Sequence, residues 1–456
     1  RMYKPYSIPV MKASPGVRVP APRISRLMVL LVKFFSRLYL LLFLGVARVI
    51  LRGEKHFFHA FKRALGGESR CILAFRHPNG GEAQILLWFI LFRLRQLAKK
   101  GGVSFALRPH ALVVYGFEVI RWGGVIARLV MPRLGALPVH HTKMDSAGMA
   151  RIYKAIIDGP YPLALAPEGQ VSYTTEDVPR LEQGTVRIGF TAADRLEKAG
   201  KSCPVDVLPV SVHFRYGRWG NVSLRRLLKK IEKYTGLKSR DDQNRELSLA
   251  ERLRRARDYI LSVNEKRYGL SPEEGRSFAE RVDVVMDAAL KRAEGILGIE
   301  RGRGDIIERL YIIRQLCWDY IYLPGKDTLE DMSGVERAVM DLKAGEAWHA
   351  SRHMELVDFV WYFRVDVPSE DAPLHVKIEY VQNLWDFANR TMGGAYSKRV
   401  IHIHPRRVLI QVAAPLNLTE RLPDYRAGRK GAIMSAMADL KEAYLDCIRE
   451  ADTYIL

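Results

Sequence analysis

Cysteine is scarce in this chain. Cys71, Cys203, Cys317 and Cys447 are scattered over 456 residues, and none forms a Cys-x-x-Cys pair. That spacing excludes a dithiol redox motif and a cysteine zinc site. A reducing compartment is the simpler reading, although spacing alone leaves disulfides open. No Gly-x-Ser-x-Gly elbow occurs, so a serine nucleophile of the hydrolase type is not expected. Nucleic-acid-binding motifs and contiguous Lys/Arg tails are missing too, and no secretory apolar region with a cleavage site stands at the start. Long uncharged apolar runs are also lacking. Between Leu27 and Leu51 the longest is Leu38 to Ala47, far short of the ~20 residues a spanning helix needs. Acid is in deficit: 50 Asp and Glu face 72 Lys and Arg, a formal net charge of +22. Such an excess calls for an anionic partner. Without a nucleic-acid motif, the expected partner is a membrane surface, where each basic residue contributes roughly 1 kcal/mol. Nucleic acid is not expected.

What is present begins with Arg76-His77-Pro78-Asn79-Gly80-Gly81-Glu82. The apolar run Cys71 to Phe75 before it reads as a strand. The run Ile85 to Phe92 after it reads as a helix, ended by Arg93, Arg95, Lys99, Lys100 and Gly101-Gly102. His77 is thus expected at a strand-to-helix junction, with Glu82 in the first helical turn. A carboxylate there accepts from one imidazole nitrogen and leaves the other free to take a proton. The plain alternative is a loop histidine beside a glutamate that complements the helix dipole. Further blocks follow: Pro132-Arg133-Leu134-Gly135-Ala136-Leu137-Pro138-Val139-His140-His141, the strand-like Leu163-Ala164-Leu165-Ala166-Pro167-Glu168-Gly169-Gln170, Gly184 after Pro179-Arg180-Leu181-Glu182-Gln183, and the strand-like Val205 to Val212.

In that order these blocks resemble the glycerol-phosphate and lysophospholipid acyltransferase family. Its first block is a His, four residues and an acid, and its third is Pro-Glu-Gly. The resemblance covers about residues 70–216 and 400–450. It implies an acyltransferase-like α/β core with a mixed sheet flanked by helices, His77 and Glu82 as the catalytic pair, and Glu168 and Gly169 lining the acceptor site. The chain departs from the family where Glu82 stands for Asp, Arg76 for Asn, Gln170-Val171-Ser172 for Thr-Arg-Ser, and His141 for Arg. The replaced arginines are those expected to grip a phosphate, so that grip falls to His141, Lys143, Arg180 or Arg187.

Residues 1–65 read as an amino-terminal membrane-association segment. At 100° per residue, Arg23, Arg26, Lys33, Arg37, Arg48 and Arg52 fall in one sector of roughly 100°. A basic amphipathic helix, or two in tandem, is expected over Leu27 to Leu51, lying among lipid headgroups. Packing on the protein's own core and a tilted span with snorkelling cations are the alternatives.

The core is expected over residues 66–220. From about Gly217 the texture turns helical, and residues 221–395 read as a large helical insertion. Ser248-Leu249-Ala250-Glu251 and Ser271-Pro272-Glu273-Glu274 are capping boxes. Residues 396–456, with the apolar strand Arg406 to Leu416 and the helical Lys430 to Glu450, are expected to complete the core. His402 and His404 share a strand face, and His349 and His353 a helix face. Neither pair has the carboxylate of a recognised metal motif, so no metal or cofactor is expected.

The expected activity is transfer of a fatty acyl group from a thioester, carried by CoA or acyl carrier protein, to a hydroxyl of a glycerol-phosphate or lysophospholipid acceptor. His77 takes the hydroxyl proton and Glu82 steadies the imidazolium. Membrane lipids are the expected partners, and the cytoplasmic membrane face the expected location. The competing reading is a weak or inactive relative that binds membranes or presents the helical insertion to a partner.

Overall fold

Arg70–Phe75 and Val205–Tyr216 lie side by side as parallel strands in the middle of a mixed sheet. The computed structural model describes residues 10–16, 21–140, 145–201, 203–217, 219–271, 275–300, 304–392 and 405–453. The chain divides into two units, Val19–Gly217 with His402–Leu456, and Arg1–Arg18 with Arg218–Ile401.

The first unit is α/β. Its strands are β1 (Val46–Arg52), β2 (Arg70–Phe75), β3 (Leu112–Gly116), β4 (Leu137–Val139), β5 (Leu163–Leu165), β6 (Val205–Tyr216), β7 (Arg406–Val412) and β8 (Leu416–Asn417). They run in the order β1-β7-β6-β2-β5-β3-β4, with β8 paired to β6. β7 and β8 are antiparallel to β6, and every other pair is parallel. β6 is buried along its whole length, as a strand covered on both faces must be.

Alternation on β2 sends Ile72 and Ala74 into a core with Phe190 from helix Gly184–Lys198 and Leu440 and Tyr444 from helix Arg429–Asp452. Leu73 and Phe75 point to the opposite face. The Tyr444 hydroxyl donates to the Ala74 carbonyl at 2.9 Å. The carboxyl-terminal strand and helix therefore belong to the same unit as β2, although a helical stretch separates them in sequence.

The expectation of helix through Leu51 fails at Gly45. Helix Arg26–Leu42 stops there, where Gly45 takes a positive φ of 62°. The β-branched Val46, Val49 and Ile50 then suit a strand, and β1 pairs in parallel with β7. Residues expected as a segment apart from the core thus supply a strand of its sheet. Arg37, expected to face phosphates, turns inward and donates to the carbonyls of Val46 and Ala47 at 2.8 and 2.7 Å. The helix from Glu82 is α-helical to Trp88, widens to a π-helix over Phe89–Leu94, and returns to α over Arg95–Lys100.

The second unit is helical: Gly220–Thr235, Leu249–Arg267, Phe278–Leu297, Ile306–Ile321, Gly334–Val360 and Leu374–Thr391. The expected capping box at Ser248 is present, with Glu251 closing it. The one expected at Ser271 is not the start of the next helix. Ser277 and Glu280 form that box instead, and Pro272, Glu273 and Glu274 lie outside the described residues. Buried pairs stitch the helices together, among them Arg309 with Glu294 at 2.8 Å.

Gly53 joins β1 to helix Glu54–Leu65 with φ of 73°, and a Cβ there would lie 2.1 Å from the Val412 carbonyl oxygen. Left-handed backbone costs an L-residue roughly 1–2 kcal/mol before any clash. Gly53→Ala should therefore lower stability by at least about 2 kcal/mol, read by urea unfolding.

Candidate functional site

The sheet order brings the His77 and Glu168 blocks together. β2 and β5 are adjacent and parallel, with Ala74 opposite Leu165. Their carboxyl ends lead directly into Arg76-His77 and into Ala166-Pro167-Glu168. Open α/β sheets present their reactive loops at that edge.

Glu82 is the first residue of its helix and is wholly buried. Its Oε2 lies 2.7 Å from His77 Nδ1. The backbone N–H groups of Asn79 and Gly80 donate to Oε1 and Oε2, each at 2.8 Å. Gly80 reaches that position with φ of 96°, a conformation that favours glycine. A carboxylate so surrounded accepts from Nδ1–H, so Nε2 is the basic nitrogen. The His77 side chain keeps 22 % of its surface exposed. Burial works to lower the His77 pKa, but the hydrogen bond it donates to Glu82 and the charges of Glu82 and Glu168 outweigh it, and the net shift is upward. Burial pushes Glu82 up, and its bonds to His77 and the backbone bring it below its ordinary value.

Glu168, expected to line the acceptor site, sits behind the loop surface. Only 3 % of it is exposed, because the protein uses its carboxylate internally. Arg76 Nε and Ser172 Oγ donate to Oε1, each at 3.1 Å, and the His77 backbone N–H donates to Oε2. Arg76 is fully buried. Its remaining N–H groups donate to the carbonyls of Thr175 at 2.7 Å, Thr174 at 2.9 Å, and Asp177. Ser172 N–H adds a bond to the His77 carbonyl at 3.0 Å. The loop after β5 is thus clasped to the loop after β2 through one ion pair and its satellites.

A second buried arginine supports the other side. Arg406, at the start of β7, donates to Asn79 Oδ1 at 3.1 Å and to the Leu44 carbonyl at 2.7 Å. Sequence reasoning noted Arg76 only as a departure and missed Arg406, whose signal was no more than a charge at the start of an apolar strand. Gly169 follows with φ of 72°. Arg180 pairs with Glu182 at 3.4 Å, and Arg187 is exposed on helix Gly184–Lys198. His141, Lys143, His402 and His404 lie outside the described residues. In the helical unit, His353 accepts or donates at 2.9 Å with the Tyr268 hydroxyl. Burial first, then the charges of His349, Arg292 and Arg267, hold His353 down at about 4, as suits a packed neutral ring.

The His77 ring should titrate above its ordinary value of about 6.5, measured by NMR of the imidazole. Glu82→Gln should bring it down. Because the folded value is raised, the stability this pair supplies is complete below the unfolded pKa and is lost as pH rises through the folded one. Arg76→Met strands the buried Glu168 charge and should cost about 3–5 kcal/mol in chemical unfolding. Adding Glu168→Leu should recover part of that loss.

No protein-family model matches the chain, and no curated protein matches it. The chemistry of the site rests on its geometry.

Proposed function

We propose that this protein is an O-acyltransferase that moves a fatty acyl group from a thioester to a hydroxyl of a glycerol-phosphate or lysophospholipid-type acceptor. The observation that carries the reading is the 2.7 Å contact of His77 Nδ1 with the buried Glu82 carboxylate, on a ring that remains partly open. The acyltransferase-like arrangement is supported by two motif blocks that leave adjacent parallel strands at the same edge of the sheet.

In this mechanism the acceptor hydroxyl gives its proton to His77 Nε2 as its oxygen attacks the thioester carbonyl. Glu82 stabilises the imidazolium that results, within a site where its own charge is already held by two backbone N–H groups. The carbon–sulfur bond breaks, the thiolate leaves with the carrier, and His77 returns its proton to the thiolate or to water. A thiolate leaves readily, so no separate strong acid is needed. The raised His77 pKa makes the ring a better proton acceptor, and turnover should fall as pH drops through that value.

CoA or acyl carrier protein brings the acyl chain, and no metal takes part. The excess positive charge supports a membrane-associated, peripheral protein on the cytoplasmic face, where both acyl donor and lipid acceptor are at hand. Among the described residues no helix is long and apolar enough to cross a membrane.

The experiment is acyl transfer by purified protein from acyl-CoA and acyl carrier protein to a panel of glycerol phosphate and lysophospholipids. His77→Ala should lower transfer at least ~100-fold, and Glu82→Gln by less. Undiminished transfer in the histidine variant would end the mechanism. No transfer by the parent protein to any acceptor would leave a membrane-binding relative without this activity.

A further inference from the structure

Helix Arg26–Leu42 is held so that its apolar side faces outward. Leu40 is buried and Arg37 is tied to the carbonyls of Val46 and Ala47 at 2.8 and 2.7 Å, which sets the rotation of the helix. Leu27, Phe34, Leu38 and Leu42 then project into solvent, Phe34 with 78 % of its surface exposed. At about 100° per residue these positions fall on one stripe, with the exposed Arg26 and Lys33 along one edge. A soluble surface rarely leaves such a stripe uncovered.

The stripe does not end with this helix. The Arg23 and Ser25 N–H groups donate to the carbonyls of Pro132 and Arg133, each at 2.8 Å. Ile24 lies so close to Gly135 that a Cβ there would be 2.8 Å from its Cγ1. The start of helix Arg26–Leu42 is therefore fastened to the end of helix Gly124–Arg133. That second helix also leaves apolar residues bare, with Val125 at 68 % and Ile126 at 76 % exposure. Charge supplies the identity of the occupant. Residues 19–53 and 119–144 contain no Asp or Glu, while Arg23, Arg26, Lys33, Arg128 and Arg133 are exposed among them.

We propose that helices Arg26–Leu42 and Gly124–Arg133 together form a docking surface for an anionic lipid bilayer, the second helix entering the headgroup boundary along with the first. This deepens the membrane-associated reading above and rests on it. Apolar side chains enter the outer few ångströms of the acyl region, about 5–10 Å, while the flanking cations meet lipid phosphates. The surface also connects to the candidate site. Just beyond the helix, the Leu44 side chain comes within 3.2 Å of where a Cβ on Gly81 would lie, and the Leu44 carbonyl accepts from Arg406, which also holds Asn79. A docked helix therefore brings the bilayer boundary to the His77–Glu82 loop, where an acceptor lipid need only rise out of its leaflet.

The test is flotation of the full chain with vesicles of phosphatidylcholine alone and of phosphatidylcholine with about a third phosphatidylglycerol. The parent protein should float with the anionic vesicles and less with the neutral ones. Ile126→Asp and Phe34→Asp should each lower the bound fraction at least about tenfold, the scale of one lost apolar insertion. Both side chains are exposed, so unfolding midpoints should stay put, and Ile126→Ser replaces the aspartate should it disturb the fold. Failure of the parent protein to float with anionic vesicles would overturn the proposal. So would flotation of the residue 126 variants at the parent level. Self-association that these variants abolish, in place of flotation, would assign the face to a second copy of the chain and equally overturn it. Flotation requires no turnover, so a protein that floats without transferring acyl groups loses the activity reading and keeps this surface.

Discussion

The buried ion pair between Arg76 and Glu168 holds the candidate site together. Two charges taken out of water are a liability unless every donor and lone pair around them is matched, and here the matching is extensive. Arg76 meets Glu168 and three loop carbonyls, and Glu168 meets Arg76, Ser172 and the His77 backbone. The pair thereby converts the adjacency of two parallel strands into a fixed position for one peptide unit, the N–H of His77. The ring that hangs from that unit inherits the constraint.

Electrostatics then divides the labour between two glutamates. Glu82 touches the ring itself, sets which nitrogen is basic and stabilises the charged form. Glu168 stands one bond behind, acting on the backbone by contact and on the ring by its field. Burying both carboxylates keeps water from screening them, while the ring stays partly exposed.

Much of this was legible in the residues. Cys71 to Phe75 and Ile85 to Phe92 are unbroken apolar runs bounded by turn and charged residues, so the strand-to-helix junction around His77 and the first-turn position of Glu82 could be read directly. The helical stretch after Gly217 and the return of strand texture near Arg406 were equally plain, because capping residues and β-branched runs act locally. What failed was non-local. Val46–Arg52 has the arginines of an amphipathic helix, yet a single left-handed glycine at 45 and a partner strand more than three hundred residues away make it β1. The internal partner of Glu168 was hidden as well, since only the pairing of β2 with β5 brings Arg76 to it. The orientation of helix Arg26–Leu42 was likewise hidden, since Arg37 turns inward for two carbonyls that exist only once β1 has formed.

The central claim is that Glu82 holds the His77 ring with its proton on Nδ1, leaving Nε2 as the base. Nitrogen NMR of the selectively labelled imidazole at high pH tests it most directly. The account predicts the Nδ1–H tautomer, with a proton shifted far downfield by the buried carboxylate and coupled to Nδ1. A neutral ring found as the Nε2–H tautomer, or averaging freely between the two, would contradict it.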